Sequence, residues 1–187
     1  LIFWASTIKE NGDWKTEKGF KYDHRMYCTT TRDFKTFTPA RLFFDPGHNV
    51  IDATIRKAGS KYYMIYKDER ELPEPQKNLL VAVSDHAGGP YQKLSGVPFT
   101  RKWVEGAAIL ELPDNSFLIL MEAYREQHYE AKLTWDFQNF RDVTDKISFP
   151  EGAKHGSVIP VSGETVLSLI AEQERAARTE RENNGRE

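Results

Sequence analysis

The sequence predicts an all-β chain built as a β-propeller, with about three to four blades present. Three observations carry that expectation: a repeat of about 50 residues, strand-patterned pairs ahead of each copy, and few helical stretches to compete with them. Thr31-Arg-Asp-Phe-Lys-Thr-Phe37 and Thr134-Trp-Asp-Phe-Gln-Asn-Phe140 share one pattern: a polar residue, any residue, Asp, Phe, two residues and Phe. Ser84-Asp-His-Ala-Gly-Gly-Pro-Tyr91 is a looser third copy, so Asp33, Asp85 and Asp136 fall 52 and 51 residues apart. Such a period accommodates one four-stranded antiparallel unit, which buries its faces only against neighbours of the same kind. A β-sandwich with accidental spacing is the alternative that short strands and turns leave open.

Taken in order, residues 1–45 read as most of one blade without its innermost strand. The next unit pairs Asp52–Lys57 with Lys61–Asp68 across the turn Ala58-Gly-Ser60 and adds a third strand, Asn78–Ser84. Gly106–Leu112 and Ser116–Tyr124 repeat that arrangement around Pro113-Asp-Asn115, followed by His128–Thr134. His155-Gly-Ser-Val-Ile-Pro-Val161 then opens a last blade, continued by Leu167–Ile170, which sets the propeller domain at residues 1–170. In the tail, 171–187, nine of 17 residues are charged. Good helix formers without an apolar stripe make that tail a solvated helix or a disordered segment. The chain opens on Leu1 inside an apolar, strand-like run, which reads as the interior of a longer protein.

Composition narrows the classes of partner. The 187 residues are 39% hydrophobic and 29% charged, enough for one domain with a real core. A net charge of −2, from 26 basic and 28 acidic side chains spread along the chain, offers no field for a phosphate backbone, so nucleic acid is not an expected partner. No run of 18 apolar residues is present, so no membrane span is expected. Cys28 is the single cysteine, which excludes an internal disulfide and a thiolate-built zinc site while leaving the compartment open.

Three segments carry the chemistry. Val50-Ile-Asp-Ala-Thr-Ile55, Trp103-Val-Glu-Gly106 and Lys154-His-Gly-Ser157 place Asp52, Glu105 and His155 at the starts of successive β-patterned segments. Cleaving a glycosidic bond takes two carboxyl groups, and matching ends of radially packed strands bring such groups together. Alone, Asp52 reads more readily as a strand-start residue bonding backbone amides, and Glu105 as a solvated edge charge. Lys67 and Tyr124 end the second strands of their units, where polar side chains reach sugar hydroxyls from a pocket rim. His24, His48, His86 and His128 show no ligand spacing, and no protein-built metal site is expected.

In order and spacing these segments resemble glycoside hydrolase family 43. Beside Ile51-Asp-Ala-Thr, Val104-Glu-Gly and His155-Gly-Ser-Val, the supporting stretches are Phe3-Trp-Ala-Ser-Thr7, His24-Arg-Met-Tyr-Cys-Thr-Thr-Thr-Arg-Asp-Phe34, Lys67-Asp-Glu-Arg70 and Phe149-Pro-Glu-Gly152. The resemblance covers roughly residues 1–162 and implies a five-bladed propeller with its pocket at one end of the central channel. It implies Glu105 as the general acid, set in an apolar wall by Trp103, Val104 and Gly106-Ala-Ala108. Asp52 would hold and tune that acid, and His155 would lie under the pocket floor. Inverting enzymes of this kind also use a base aspartate on the first blade's innermost strand, which has no counterpart in this sequence. The isolated chain is therefore expected to be inactive. Ala107 stands where relatives commonly carry Pro.

The implied substrate is a plant-type glycan bearing arabinose or xylose, cleaved without a required cofactor. The resemblance leaves room for a calcium ion in the central channel near His155. A non-catalytic propeller that binds carbohydrate or protein is the alternative.

Overall fold

The computed structural model describes residues 1–7, 9–10, 13–14, 22–150 and 152–184. Three antiparallel sheets dominate it. The first holds β1 (Ile2–Ser6), β4 (Arg25–Thr29) and β5 (Arg41–Phe44), with β2 (Lys9–Glu10) and β3 (Asp13–Trp14) forming a separate two-stranded ribbon. The second runs β6 (Val50–Ala58), β7 (Lys61–Asp68), β8 (Asn78–Ser84) and β9 (Gln92–Lys93) in sequence order. The third repeats it with β10 (Val104–Glu111), β11 (Phe117–Ala123), β12 (His128–Thr134) and β13 (Arg141–Asp142). Up-and-down connection of neighbouring strands in each sheet is the architecture of propeller blades.

Turn chemistry sets the registers. Ala58 pairs with Lys61, so Gly59-Ser60 is a two-residue hairpin loop, and Gly59 takes the positive φ, 59°, that such a turn asks of its first central residue. At the other hairpin, Asn115 adopts φ 61° and the Asp114 carboxylate accepts from the Ser116 amide at 3.1 Å. The repeated Thr-x-Asp-Phe segments fold as one turn twice. The Thr31 and Thr134 hydroxyls each accept the amide of the Phe three residues on at 2.9 Å, and Asp33 and Asp136 each accept two later amides at 2.8–2.9 Å.

Packing explains why the central strands read as unbroken apolar runs. Successive side chains on a strand point to opposite faces. Met64 and Tyr66 of β7, with Leu80 and Ala82 of β8, join Met26, Cys28 and Phe44 in one core. The alternate residues Ile65, Leu79 and Val81 join Val104, Ile119, Met121 and Phe137 in a second core. The middle blade is thus buried on both faces, and each fully buried Leu, Ile or Met contributes roughly 1.5–3 kcal/mol.

Two expectations are corrected at the C-terminal end. Residues 155–161 form no strand, and Leu167–Ile170 lie in a helix, α1 (Gly163–Asn184), rather than in a blade. The sheets lie in a compact unit, Leu1–Ser157, and Val158–Glu187 is a second unit. The Ser162 hydroxyl caps α1 by accepting the Thr165 amide at 3.1 Å, and the strong helix formers beyond it continue the helix. No helix among the described residues is long and apolar enough to cross a membrane.

Candidate active site

The innermost strands β6 and β10 both begin with an irregularity. Val50 and Ile51 pair with Asp68 and Lys67, after which pairing resumes only at Thr54 with Ile65. Val104 and Glu105 pair with Ala123 and Glu122, and pairing resumes at Ala108 with Leu120. Asp52 and Gly106 hold equivalent places in these bulges and share a left-handed backbone, φ 52° and 61°. Bulges re-aim side chains, and Asp is among the few residues besides Gly that tolerate this conformation.

From these positions the two acids meet one imidazole. His155 Nε2 lies 3.5 Å from Asp52 Oδ2 and 3.7 Å from Glu105 Oε1, while its Nδ1 lies 2.8 Å from Glu122 Oε2. Gly106 makes the arrangement possible, because a Cβ there would overlap the His155 ring. The segment bearing His155 is tied to the third blade through β12: the Tyr129 hydroxyl donates to the Lys154 carbonyl, and Phe149 stacks on Tyr129 at 4.1 Å.

Behind Glu105 runs a chain of ion pairs. The Lys67 ammonium donates to Glu105 Oε2 and sits 2.8 Å from Glu69. Glu69 also pairs with Lys77 at 2.6 Å, and Lys77 reaches Glu71 at 2.8 Å. Burial is the largest single influence on Lys67 and lowers its proton affinity, but the hydrogen bonds to Glu105 and Glu69 outweigh it and hold its pKa above the ordinary value. The Lys67 ammonium lies 4.7 Å from the Tyr124 ring centroid, a cation–π contact. Burial pushes the Tyr124 hydroxyl up, against the opposing charge of Lys67.

The structure therefore brings together all five residues that the sequence singled out, in a changed arrangement. Lys67 is 2% exposed and bonded to carboxylates, not extended from a rim, and an ammonium rather than an apolar wall faces Glu105 Oε2. The His155 side chain is 46% exposed, resting against Gly106 rather than lying under a floor. Glu69, Lys77 and Glu122 complete the site and were not anticipated. Glu69 falls in the Lys67-Asp-Glu-Arg70 stretch that supports the family resemblance, whereas the pairing of Glu122 with Glu105 emerges only from the strand register.

Asp52, Glu105 and His155 each bring one donor atom within 4.8 Å of the others, which raises the question of a metal ion. Calcium takes about six to eight oxygen ligands. One donor of this trio is a nitrogen, and Glu105 bonds the Lys67 ammonium through Oε2 while Oε1 faces His155.

Blade-like antiparallel sheets whose innermost strands lie side by side define a propeller-like domain. The family model described as a probable glycosyl hydrolase domain, related to family 43, matches residues 1–166, and the chain belongs to this family. No curated protein and no solved structure matches the chain significantly.

Proposed function

We propose that this domain supplies the general acid, Glu105, for inverting hydrolysis of glycosidic bonds on plant-type glycans bearing arabinose or xylose, the general base coming from outside these residues. The observation that supports this reading is the convergence of Asp52 and Glu105, from equivalent bulges on adjacent blades, upon His155. An inverting acid and base stand roughly 6.5–9.5 Å apart to admit water. Asp52 is too close to Glu105 to be that base, since donor atoms of the two lie within 4.8 Å. It holds the acid from the same side, as Lys67 does from behind. In the proposed reaction Glu105 gives its proton to the leaving oxygen as the C1–O bond breaks. Water forms the new bond to C1 and yields its proton to an aspartate on the innermost strand of a further blade, the position that the family resemblance gives it. No cofactor enters these steps.

With the base-bearing blade present, replacing Glu105→Gln is expected to slow release of sugars with poor leaving groups by roughly 10²–10⁴-fold while sparing dinitrophenyl glycosides, which need no protonation. Equal loss on both would remove Glu105 from the role. Proton NMR of the first-formed anomer gives a separate check. A retained anomer would instead make Asp52 a nucleophile, a role for which carboxyl spacings of about 5–5.5 Å are usual.

A further inference from the structure

Beside the acid lies a cation that the proposed reaction does not use. Arg125, in the turn after β11, lays its guanidinium over the Trp103 indole, with Cζ 3.1 Å from the ring centroid. Trp103 meets Tyr124 edge-on at 6.3 Å, and Tyr124 lies under the Lys67 ammonium that bonds Glu105. Trp103 precedes Glu105 by two residues, so its Cα lies within about 7 Å of that of Glu105. One sugar residue bridges such a gap.

Trp103 adopts φ 71°, an outlier for a bulky side chain, and its amide is held by the Lys77 carbonyl at 2.6 Å. Strained backbone of this kind concentrates at binding and catalytic sites. Among the described residues, no carboxylate or carbonyl accepts from the Arg125 guanidinium. The adjacent Glu126 is engaged by Arg101 at 2.9 Å instead. Stacking on indole fixes the plane of the guanidinium and leaves its N–H edge open, the geometry that grips a carboxylate with two parallel hydrogen bonds.

We infer that Arg125, seated on Trp103, binds the carboxylate of a uronic acid residue in the substrate, an assignment that rests on the glycan-cleaving reading above. A sugar carboxylate suits the site better than a phosphate ester. Asp52, Glu105 and Glu122 already supply negative charge there, and a dianion is repelled more strongly than a monoanion.

The test uses two probes of the same shape, D-glucuronic acid and its neutral amide, titrated into the full chain. Calorimetry gives the affinities, and the Trp103 indole N–H signal in NMR locates the binding. The acid is expected to bind about tenfold more tightly than the amide, the order of one charge-assisted hydrogen bond. Arg125→Gln is expected to bring the two affinities within about twofold, and Arg125→Lys to give an intermediate ratio, because a point charge lacks the fork. Equal affinities in the wild-type chain, or a preference that survives in Arg125→Gln, would overturn this inference alone. Binding of neither probe would likewise overturn this inference, while the glycan-cleaving reading stands or falls on the Glu105→Gln test.

Discussion

A Cβ added at Gly106 would fall on the His155 ring, and the φ of 61° there already disfavours any other L-residue. Gly106→Ala is therefore expected to cost more than about 1 kcal/mol of stability and to displace the imidazole from Asp52 and Glu105. Urea melts of the chain, and steady-state assays on aryl glycosides with the base-bearing blade present, check the two effects, and unchanged activity would detach His155 from the reaction. Lys67 offers a test of a different sort. Removing one partner from a buried ion pair costs roughly 3–5 kcal/mol, so Lys67→Met is expected to lower Tm by several degrees, at about 2–4 °C per kcal/mol for a chain of this size. Because the folded pKa of Lys67 is raised, its stabilisation is full below the ordinary lysine value of 10.5 and is lost as pH rises through the higher folded value. The gap between wild-type and Lys67→Met melting points should hold at pH 8 and narrow above pH 11. Asp52, Glu105 and His155 were legible because acids and a histidine opening β-patterned segments are visible along one chain. Glu69, Lys77 and Glu122 were not, because their roles depend on which side chains adjacent blades bring into contact.

The repeat of Thr, Asp and Phe marks an element whose purpose the structure makes plain. In both close copies the aspartate is a turn acceptor, and backbone amides hold the Asp136 carboxyl down to about 2, the Asn139 amide foremost. Asp33 is likewise lowered to about 2, led by the Thr36 and Lys35 amides. A depressed carboxylate contributes stability that is complete above its unfolded value and is lost as pH falls through the folded one. Asp136→Ala is thus expected to cost about 1–2 kcal/mol at pH 7, from lost hydrogen bonds, and progressively less between about pH 4 and pH 2. Chemical denaturation across that range checks it, and a cost independent of pH would mean that the turn does not depend on the charge. Strands β7, β8 and β12 match the segments read from sequence, since period-two patterning and Gly or Asn turns are local signals. Residues 155–161 and 167–170 carry a strand-like pattern without forming strands, because Val, Ile and Leu suit either structure in short runs. Ser162 decides the outcome there as a helix cap, supported by the Ala, Glu and Arg residues that follow.

At the scale of the molecule, propeller blades are stable only through the faces they share, and the two copies of the repeat measure what one such face contributes. Phe137 is 1% exposed, stacked at 4.4 Å on Tyr63 of the neighbouring blade and packed against Phe117. Phe34 occupies the same place in the same turn, with φ 53° against 58°, yet it is 77% exposed. Local structure is matched, so the difference between the two positions is the neighbouring sheet. Phe137→Ala is expected to cost roughly 3–5 kcal/mol through lost burial and the cavity left behind. Phe34→Ala should stay within about 0.5 kcal/mol, as exposed substitutions do. Urea titrations of both variants, read by tryptophan fluorescence and by circular dichroism, give the comparison. Because Ile65, Leu79 and Val81 join the same core as Phe137, its loss should shift both signals together, by a common midpoint. Separate transitions would mean that the second and third blades unfold independently, and similar costs at the two positions would mean that the turn itself, rather than the shared face, is what the phenylalanine stabilises.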